Sequence, residues 1–451
     1  MPLFRLTFAA SMLCTCWFAE SVGVAQLNRQ GAARPAEVHT ASIRRLPEDD
    51  AVADEVLVQE VVQPGGLTVF DIERIALGNH PALIAAQGRI HAANGNWVQV
   101  GLKPNPTVGY IADDVGADGQ GGAHGIYAQQ RFVRGNKLGL NREVAAAAVC
   151  REEALRRAAV LRIQTDVRAA FYRTLLAQRR LDLANQLADI AEESAAAAQR
   201  LLDAREGRRV DVLRADVDAE RMLLAAQEAN ARHVAAWRTL ASVAGEPNMA
   251  RQPLQGDLDD VLPTLSYEAA AGRIIECSPQ IAAARAEVDR TAWAIDRANA
   301  EPIPDLQTAM EVKGDTATDN VLVVFQAGVE LPLWDRNQGG IQRAHGQHTA
   351  AVARLQQLRL QLRQQLAAEF QAYEVASART LRFSRDILPK TRESIELVEA
   401  SLAAGELSYL DLLTARRALY EVNLDYIDAL EAQWISAQRI EGMLLSGSLE
   451  E

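Results

Sequence analysis

The chain has 451 residues, and its 47 Lys+Arg against 59 Asp+Glu give a formal net charge of −12. This acidic balance, with no basic stripe interleaved with aromatics, excludes nucleic acid as an expected partner. Aromatics make up 5% of the residues, which favours long, closely packed alanine-rich helices over a core of large side chains.

Residues 1–25 read as a secretory signal. Arg5 supplies a short basic start, Leu6 to Ala19 is apolar, and Gly23-Val24-Ala25 offers small residues for cleavage before Gln26. The apolar run is shorter than the roughly 20 residues a spanning helix needs. Cys14 and Cys16 fall inside this signal. Lipidation at Cys16 stays open, although Leu13-Cys14-Thr15 is a poor match to the small residues such a site prefers. Cys150 and Cys277 sit in different halves and read as free thiols. Residues 26–64 show no helical period and read as an extended linker. No other segment is apolar for about 18 consecutive residues, so any membrane insertion has to be by β-barrel.

An internal repeat follows. Leu67, Pro81, Pro104 and Pro106 recur as Leu265, Pro279, Pro302 and Pro304, each shifted by 198 positions. Leu83-Ile84-Ala85-Ala86 answers to Ile281-Ala282-Ala283-Ala284. The chain is therefore expected to be two tandem copies, 65–255 and 256–449. Each copy predicts a short helix (69–77 or 267–275) and a second helix opened by Pro81 or Pro279, since proline suits a helix's first turn. Paired prolines then end that helix.

Next come β-hairpins, expected within 104–133 and 303–332. In 306–312, Leu306, Thr308, Met310 and Val312 share one face, and Gln307, Ala309 and Glu311 the other. In 321–331, Val321, Val323, Phe325, Ala327, Val329 and Leu331 alternate with Leu322, Val324, Gln326, Gly328 and Glu330. Val108, Tyr110 and Ala112, then Ile126, Ala128 and Phe132, repeat the pattern less cleanly. Apolar-out, polar-or-small-in alternation over about ten residues marks a transmembrane strand, although a soluble hairpin with one buried face gives the same period. Two hairpins make four strands, too few to close a barrel of about eight or more. A membrane role therefore demands a barrel shared between chains, of a number these considerations leave open.

Each hairpin leads into a very long helical stretch, 136–204 and 337–404, roughly 100 Å at 1.5 Å per residue. Alanine runs at 145–148 and 195–198 permit close helix approach, and the length points to coiled-coil-like packing. A glycine-containing break and a last helix complete each copy.

Several motifs resemble those of the TolC-like outer-membrane efflux family, in particular its heavy-metal branch serving RND-type pumps, over about 65–447. His80-Pro81-Ala82-Leu83-Ile84-Ala85-Ala86 is similar to the family's helix start, and Lys103-Pro104-Asn105-Pro106 to its lead-in to the first strand. Leu331-Pro332-Leu333-Trp334-Asp335-Arg336-Asn337-Gln338-Gly339 resembles its strand-to-helix crossing, the most specific match. Gly207-Arg208-Arg209-Val210-Asp211 and Gly405-Glu406-Leu407-Ser408-Tyr409-Leu410-Asp411 resemble its turns at the periplasmic tip, the first two residues shorter than the second. The resemblance implies a mainly α fold: tandem long helical hairpins forming an α-barrel, and four strands per chain contributing to a trimeric twelve-stranded β-barrel. It implies a homotrimer in the outer-membrane lipid with a helical tunnel in the periplasm, working with a periplasmic adaptor (membrane fusion protein) and an inner-membrane RND-type transporter. Such a duct needs no cofactor and catalyses nothing.

The resemblance also selects site residues. Asp411 matches an acidic constriction at the tunnel's closed end, where carboxylates brought together would favour cations; Asp211 holds the equivalent place in the first copy. One turn after Asp411 stands Thr414 rather than a second acid, and Leu407 stands where the archetype has a locking basic residue. An acid in a helix's first turn also suits the positive end of the dipole without any gate. Gly207 and Gly405 are expected to permit the helix reversals, with Arg208 and Arg209 as candidate adaptor contacts. Pro332, Arg336, Asn337 and Gly339 form the crossing. His345 and His348, at i and i+3, are the one histidine pair with a shared helix face, without a carboxylate or cysteine to complete a metal set; His39, His80, His91, His124 and His233 show no ligand spacing.

The expected function is a passive outer-membrane export duct, with heavy-metal cations as the expected cargo. Drug efflux, type I secretion and a periplasmic coiled-coil scaffold or adaptor remain as alternatives. Nucleophile, phosphate-loop and zinc-protease motifs are absent from the sequence.

Overall fold

Capping chemistry decides where the first two helices begin. Thr68 accepts from the Asp71 amide (3.4 Å) while the Asp71 carboxylate accepts from the Thr68 amide (3.1 Å), a reciprocal capping box that opens α1 (Val69–Asn79). Pro81 starts α2 (Pro81–Val100) behind an N-cap His80 whose Nδ1 accepts from the Ala82 amide at 3.2 Å. The second copy places α5 (Tyr267–Cys277) and α6 (Pro279–Ala300) in the same order, with Pro279 again in the first turn, but its N-cap residues Ser266 and Ser278 make no side-chain cap bond. The computed structural model describes residues 66–116, 121–258, 264–316, 318–404, 406–407 and 409–449. The expected signal 1–25 and linker 26–64 lie outside the described residues.

After α2 come β1 (Thr107–Asp113) and β2 (Ala123–Phe132); after α6 come β3 (Leu306–Asp315) and β4 (Asn320–Val329). The two hairpins join into one antiparallel sheet of order β1-β2-β3-β4, stitched across the duplication by β2 against β3 with Phe132 opposite Leu306. The register aligns Tyr110, Ile126, Val312 and Val323 in one row and Val108, Ala128, Met310 and Phe325 in the next. These rows share a face, because side chains alternate across a strand. That face is bare: Val323 is 66% and Phe325 69% exposed.

The helical part is built on α3 (Lys137–Asp203), 67 residues long, and α4 (Arg209–Val243). Its second-copy counterpart is interrupted. There α7 (Gln338–Arg382) passes through a π-helical turn, Phe383–Ile387, into α8 (Leu388–Ala403), before α9 (Tyr409–Glu441). Pro389 is the cause that fits, since it has no N–H to donate and its ring crowds the carbonyl four residues back, which a widened turn accommodates. One core, around Ile72, Phe171, Leu176, Trp237, Leu240, Leu430 and Trp434, packs α1, α3, α4 and α9; a second, around Ile274, Ile281, Leu366, Phe370 and Ile440, packs α5, α6, α7 and α9. Among the described residues no helix is long and apolar enough to cross a membrane.

Where sheet meets helices, both copies use the same device. Asn136 (φ 54°) and Asn337 (φ 58°) take the left-handed conformation just before α3 and α7, which asparagine tolerates better than most residues. A Cβ on Gly139 would lie 2.3 Å from the Asn136 Oδ1, and one on Gly340 2.0 Å from the Asn337 Oδ1. Nothing stands within 4 Å of a Cβ on Gly339, so the crossing requires glycine at 340 rather than at the expected 339. The Asn337 amide is held in place by donating to the Ala298 carbonyl at 2.8 Å. Gly340→Ala is expected to break that bond and lower stability by about 1–2 kcal/mol. Gly339→Ala should be neutral or raise stability by up to about 1 kcal/mol; denaturant unfolding in detergent separates the two signs.

Candidate functional site

The far end of the helices is the candidate gate. α3 ends in a Schellman arrangement: the Arg205 amide donates to the Leu202 carbonyl and the Glu206 amide to the Leu201 carbonyl, both at 2.9 Å. The residue in the left-handed conformation is Arg205 (φ 67°), not the expected Gly207. Gly207 serves close approach instead, since a Cβ there would sit 3.0 Å from the Leu202 nitrogen. In the second copy the Glu406 amide donates to the Ser401 carbonyl at 2.9 Å, the same closing bond; Gly405 itself lies outside the described residues. The C-caps are Ala204 and Ala404, and the next helices start at Arg209 and Tyr409. The two turns are therefore equal in length, and Gly405 corresponds to Arg205. The expected two-residue shortening came from pairing Gly405 with Gly207.

That equivalence puts Asp211 and Asp411 at the third position of α4 and α9. Asp211 is half-buried, while Asp411 and Thr414 are exposed one turn apart. Arg208, the N-cap of α4, and Arg209 are exposed beside Asp211. One turn deeper, Arg416 of α9 donates to the Ser194 hydroxyl of α3 at 3.2 Å and to the Glu399 carboxylate of α8 at 3.1 Å. Farther along, Arg180 pairs with Asp428, and Arg173 with Glu431 at 3.1 Å, again joining α3 to α9. Leu187, Ile190, Met222, Leu413 and Tyr420 line a small cleft where α3, α4 and α9 converge beside Arg416. Burial pushes the Tyr420 phenol above its usual range, against the pull of Arg180 and Arg232. Sequence reasoning passed over Arg416, because its partners lie 17 and 222 positions away and no local spacing points to them.

At the crossing, Pro332 offers its carbonyl to the Arg336 Nε (3.3 Å), and the Asn337 amide donates to the Asp335 carboxylate (2.9 Å). Leu331, Leu333 and Trp334 project bare, Trp334 at 87% exposure, as in the aromatic belts of membrane interfaces. Across the same level Asp305 accepts from the Arg134 amide (3.1 Å) and the Lys137 ammonium (3.0 Å). Burial opposes its charge, yet these donors hold its carboxyl below the usual carboxylate range. His348 shares its Nδ1 with the Thr291 hydroxyl at 3.1 Å, and the described residues contain no group of three or more His, Cys, Asp or Glu placed to hold a metal ion.

Long antiparallel helix pairs, a sheet with one bare apolar face and two tandem copies define a channel-forming class of membrane protein. The sequence model of the outer membrane efflux protein family matches residues 74–246 and 270–444, and the chain belongs to that family. It is 28% identical over 384 residues to the cobalt-zinc-cadmium resistance protein CzcC of Cupriavidus metallidurans, covering 84% of this chain and 90% of CzcC. The nickel and cobalt resistance protein CnrC of the same organism is 26% identical over 285 residues, 62% of this chain and 67% of CnrC. The crystal structure of CusC, described in terms of transmembrane channel formation, superposes with a TM-score of 0.69 at 17% identity, covering 84% of this chain and 92% of CusC. The protein is an outer-membrane efflux protein with the TolC-like channel fold.

The level of α1 carries a titratable contact of its own. His80 is 2% exposed, its Nε2 is buried without a hydrogen-bond partner, and burial lowers its pKa against the opposing charge of Asp166. Asp166 is engaged elsewhere, accepting from the Gly447 amide (3.2 Å) and the Ser448 amide (2.6 Å). A histidine whose folded pKa is depressed contributes its full stability above its unfolded value of roughly 6.5, and loses it as pH falls below that value. The loss is at most about 1.4 kcal/mol per pH unit. Melting between pH 7.5 and 5.5 should therefore show a fall in wild type that His80→Ser, which installs the second copy's own cap residue, partly removes.

Proposed function

We propose that this chain is the passive export duct of a tripartite efflux system. Three copies pool four strands each into a twelve-stranded barrel, and their helices continue it as a tunnel through the periplasm. The observation that carries this reading is the sheet. Its apolar face is bare, and among the described residues its two outer strands, β1 and β4, have partners on one side only. Lipid does not tolerate open edges, and four strands fall short of the smallest barrels, so closure has to come from further copies. The protein hydrolyses nothing; energy enters through an inner-membrane RND-type transporter coupled by a periplasmic adaptor.

Asp411, with Asp211 and Thr414 around it, narrows the periplasmic end and favours cations there. Arg208 and Arg209, with the turns at Gly207 and Gly405, meet the adaptor. Opening is an iris-like movement of α8 and α9 away from α3, resisted by the Arg416 contacts to Ser194 and Glu399. The π turn ahead of Pro389, absent from α3, gives the second copy's helix a bending point that the first copy lacks. Heavy-metal cations are the cargo, on the strength of the likeness to CzcC and CnrC.

Planar-bilayer recording of the detergent-extracted protein tests this reading. Wild type should conduct as a largely closed pore, and Asp411→Ala should raise its open probability or conductance several-fold, with a smaller effect from Asp211→Ala. A purified chain that stays soluble without detergent and gives no conductance overturns the duct. A separate check is tolerance of cobalt, zinc and cadmium in cells lacking the protein; unchanged tolerance removes heavy metals as the cargo.

A further inference from the structure

The face of the sheet opposite the apolar rows carries the chain's strand-borne charges. Side-chain alternation puts Asp113, Arg131, Glu311, Lys313 and Asp315 there, with Gln129, Gln307 and Gln326. Within this set one cluster is tightly built. The Lys313 ammonium donates to the Asp113 carboxylate at 2.5 Å and to the Glu311 carboxylate at 2.7 Å. Lys313 stands on β3 and Asp113 on β1, with β2 between them, so the lysine stem has to lie across β2. It does so over Gly125, its direct neighbour in the register. A Cβ on Gly125 would stand 2.8 Å from the Lys313 Cγ and 2.1 Å from the Val312 carbonyl oxygen, so glycine there keeps the path of the lysine open. The lysine side chain is 11% exposed and that of Glu311 14%, while that of Asp113 is 44% exposed.

Two carboxylates converging on one point, with the protein's own ammonium between them, offer oxygens of the kind a divalent cation takes. Zinc takes carboxylate oxygens at about 2.0–2.2 Å, closer than the ammonium sits here. Without Lys313, Asp113 and Glu311 would form an uncompensated acidic pair on the wall of the pore, three times over in a shared barrel. We infer that Lys313 is a built-in occupant of this seat, which lets divalent cations pass the barrel without being held. The inference rests on the duct reading, because it needs this face to line a pore.

The test is zinc block of the potassium chloride current through single pores in planar bilayers, with zinc chloride added on the side nearer the strand turns. Lys313→Gln vacates the seat and should lower the half-blocking zinc concentration at least about tenfold. Lys313→Arg should block as wild type does, and Lys313→Gln combined with Glu311→Gln should return toward wild type. Equal zinc sensitivity of conducting wild-type and Lys313→Gln pores overturns the inference and leaves the duct standing. Absence of any wild-type conductance overturns both. Should Lys313→Gln not yield a heat-modifiable oligomer, Lys313→Met is recorded in its place against the same wild-type curve, with the same two outcomes.

Discussion

Backbone hydrogen bonding in lipid is the constraint from which the rest of this structure follows. A strand in the hydrocarbon layer has no water to satisfy its edge, and each unmet amide or carbonyl costs several kcal/mol. The four strands here satisfy each other internally through an unbroken antiparallel ladder from β1 to β4, including the β2–β3 seam that joins the two copies. What the ladder leaves unmet is the outer side of β1 and of β4. A duplicated chain with one hairpin per copy can therefore be complete as a fold unit and still be incomplete as a membrane structure.

Holding a sheet to a tunnel of helices at a fixed angle needs stiff corners. The two left-handed asparagines, Asn136 and Asn337, turn the chain from strand to helix, and Gly139 and Gly340 leave room for their side chains. Asp305 reinforces the corner from the other copy by collecting the Arg134 amide and the Lys137 ammonium. Arg297 adds a further link, its Nε donating to the side-chain Oδ1 of Asn141 at 2.6 Å. Several of these bonds are charge-assisted and sheltered, the setting in which a polar contact is worth most. The π turn before Pro389 interrupts the second copy's long helix, while α3 of the first copy runs on without one.

The tip shows how similar letters can hide a shifted register. Pairing Gly207 with Gly405 made the first turn look shortened, whereas the helix ends pair Ala204 with Ala404, and Asp211 with Asp411. A glycine is a good guide to a left-handed residue because it adopts that conformation at no steric cost. It is not a certain one, because a Schellman close can hold an arginine there when its two amide bonds are made. The Asn-x-x-Gly pair of the crossing occurs in both copies at an offset of 201, against 198 upstream. That drift placed it beyond a search at one fixed offset.

From the sequence alone came the features governed by local rules. Helix starts at Pro81 and Pro279 follow from proline's fixed φ, strand faces from a period of two, and the great helical lengths from unbroken helical pattern. The repeat of prolines betrayed the duplication, and the motifs around Pro106 and Asn337 betrayed the family. What only the tertiary structure decided were contacts between groups distant in the chain: the β2–β3 seam, Asp305 on Lys137, Arg416 on Glu399 and Ser194, and Lys313 laid across Gly125 to Asp113. Each needs a distance and a direction across elements tens to hundreds of residues apart. Periodicity reports which face a side chain takes, and it holds no information about which partner waits on the neighbouring element.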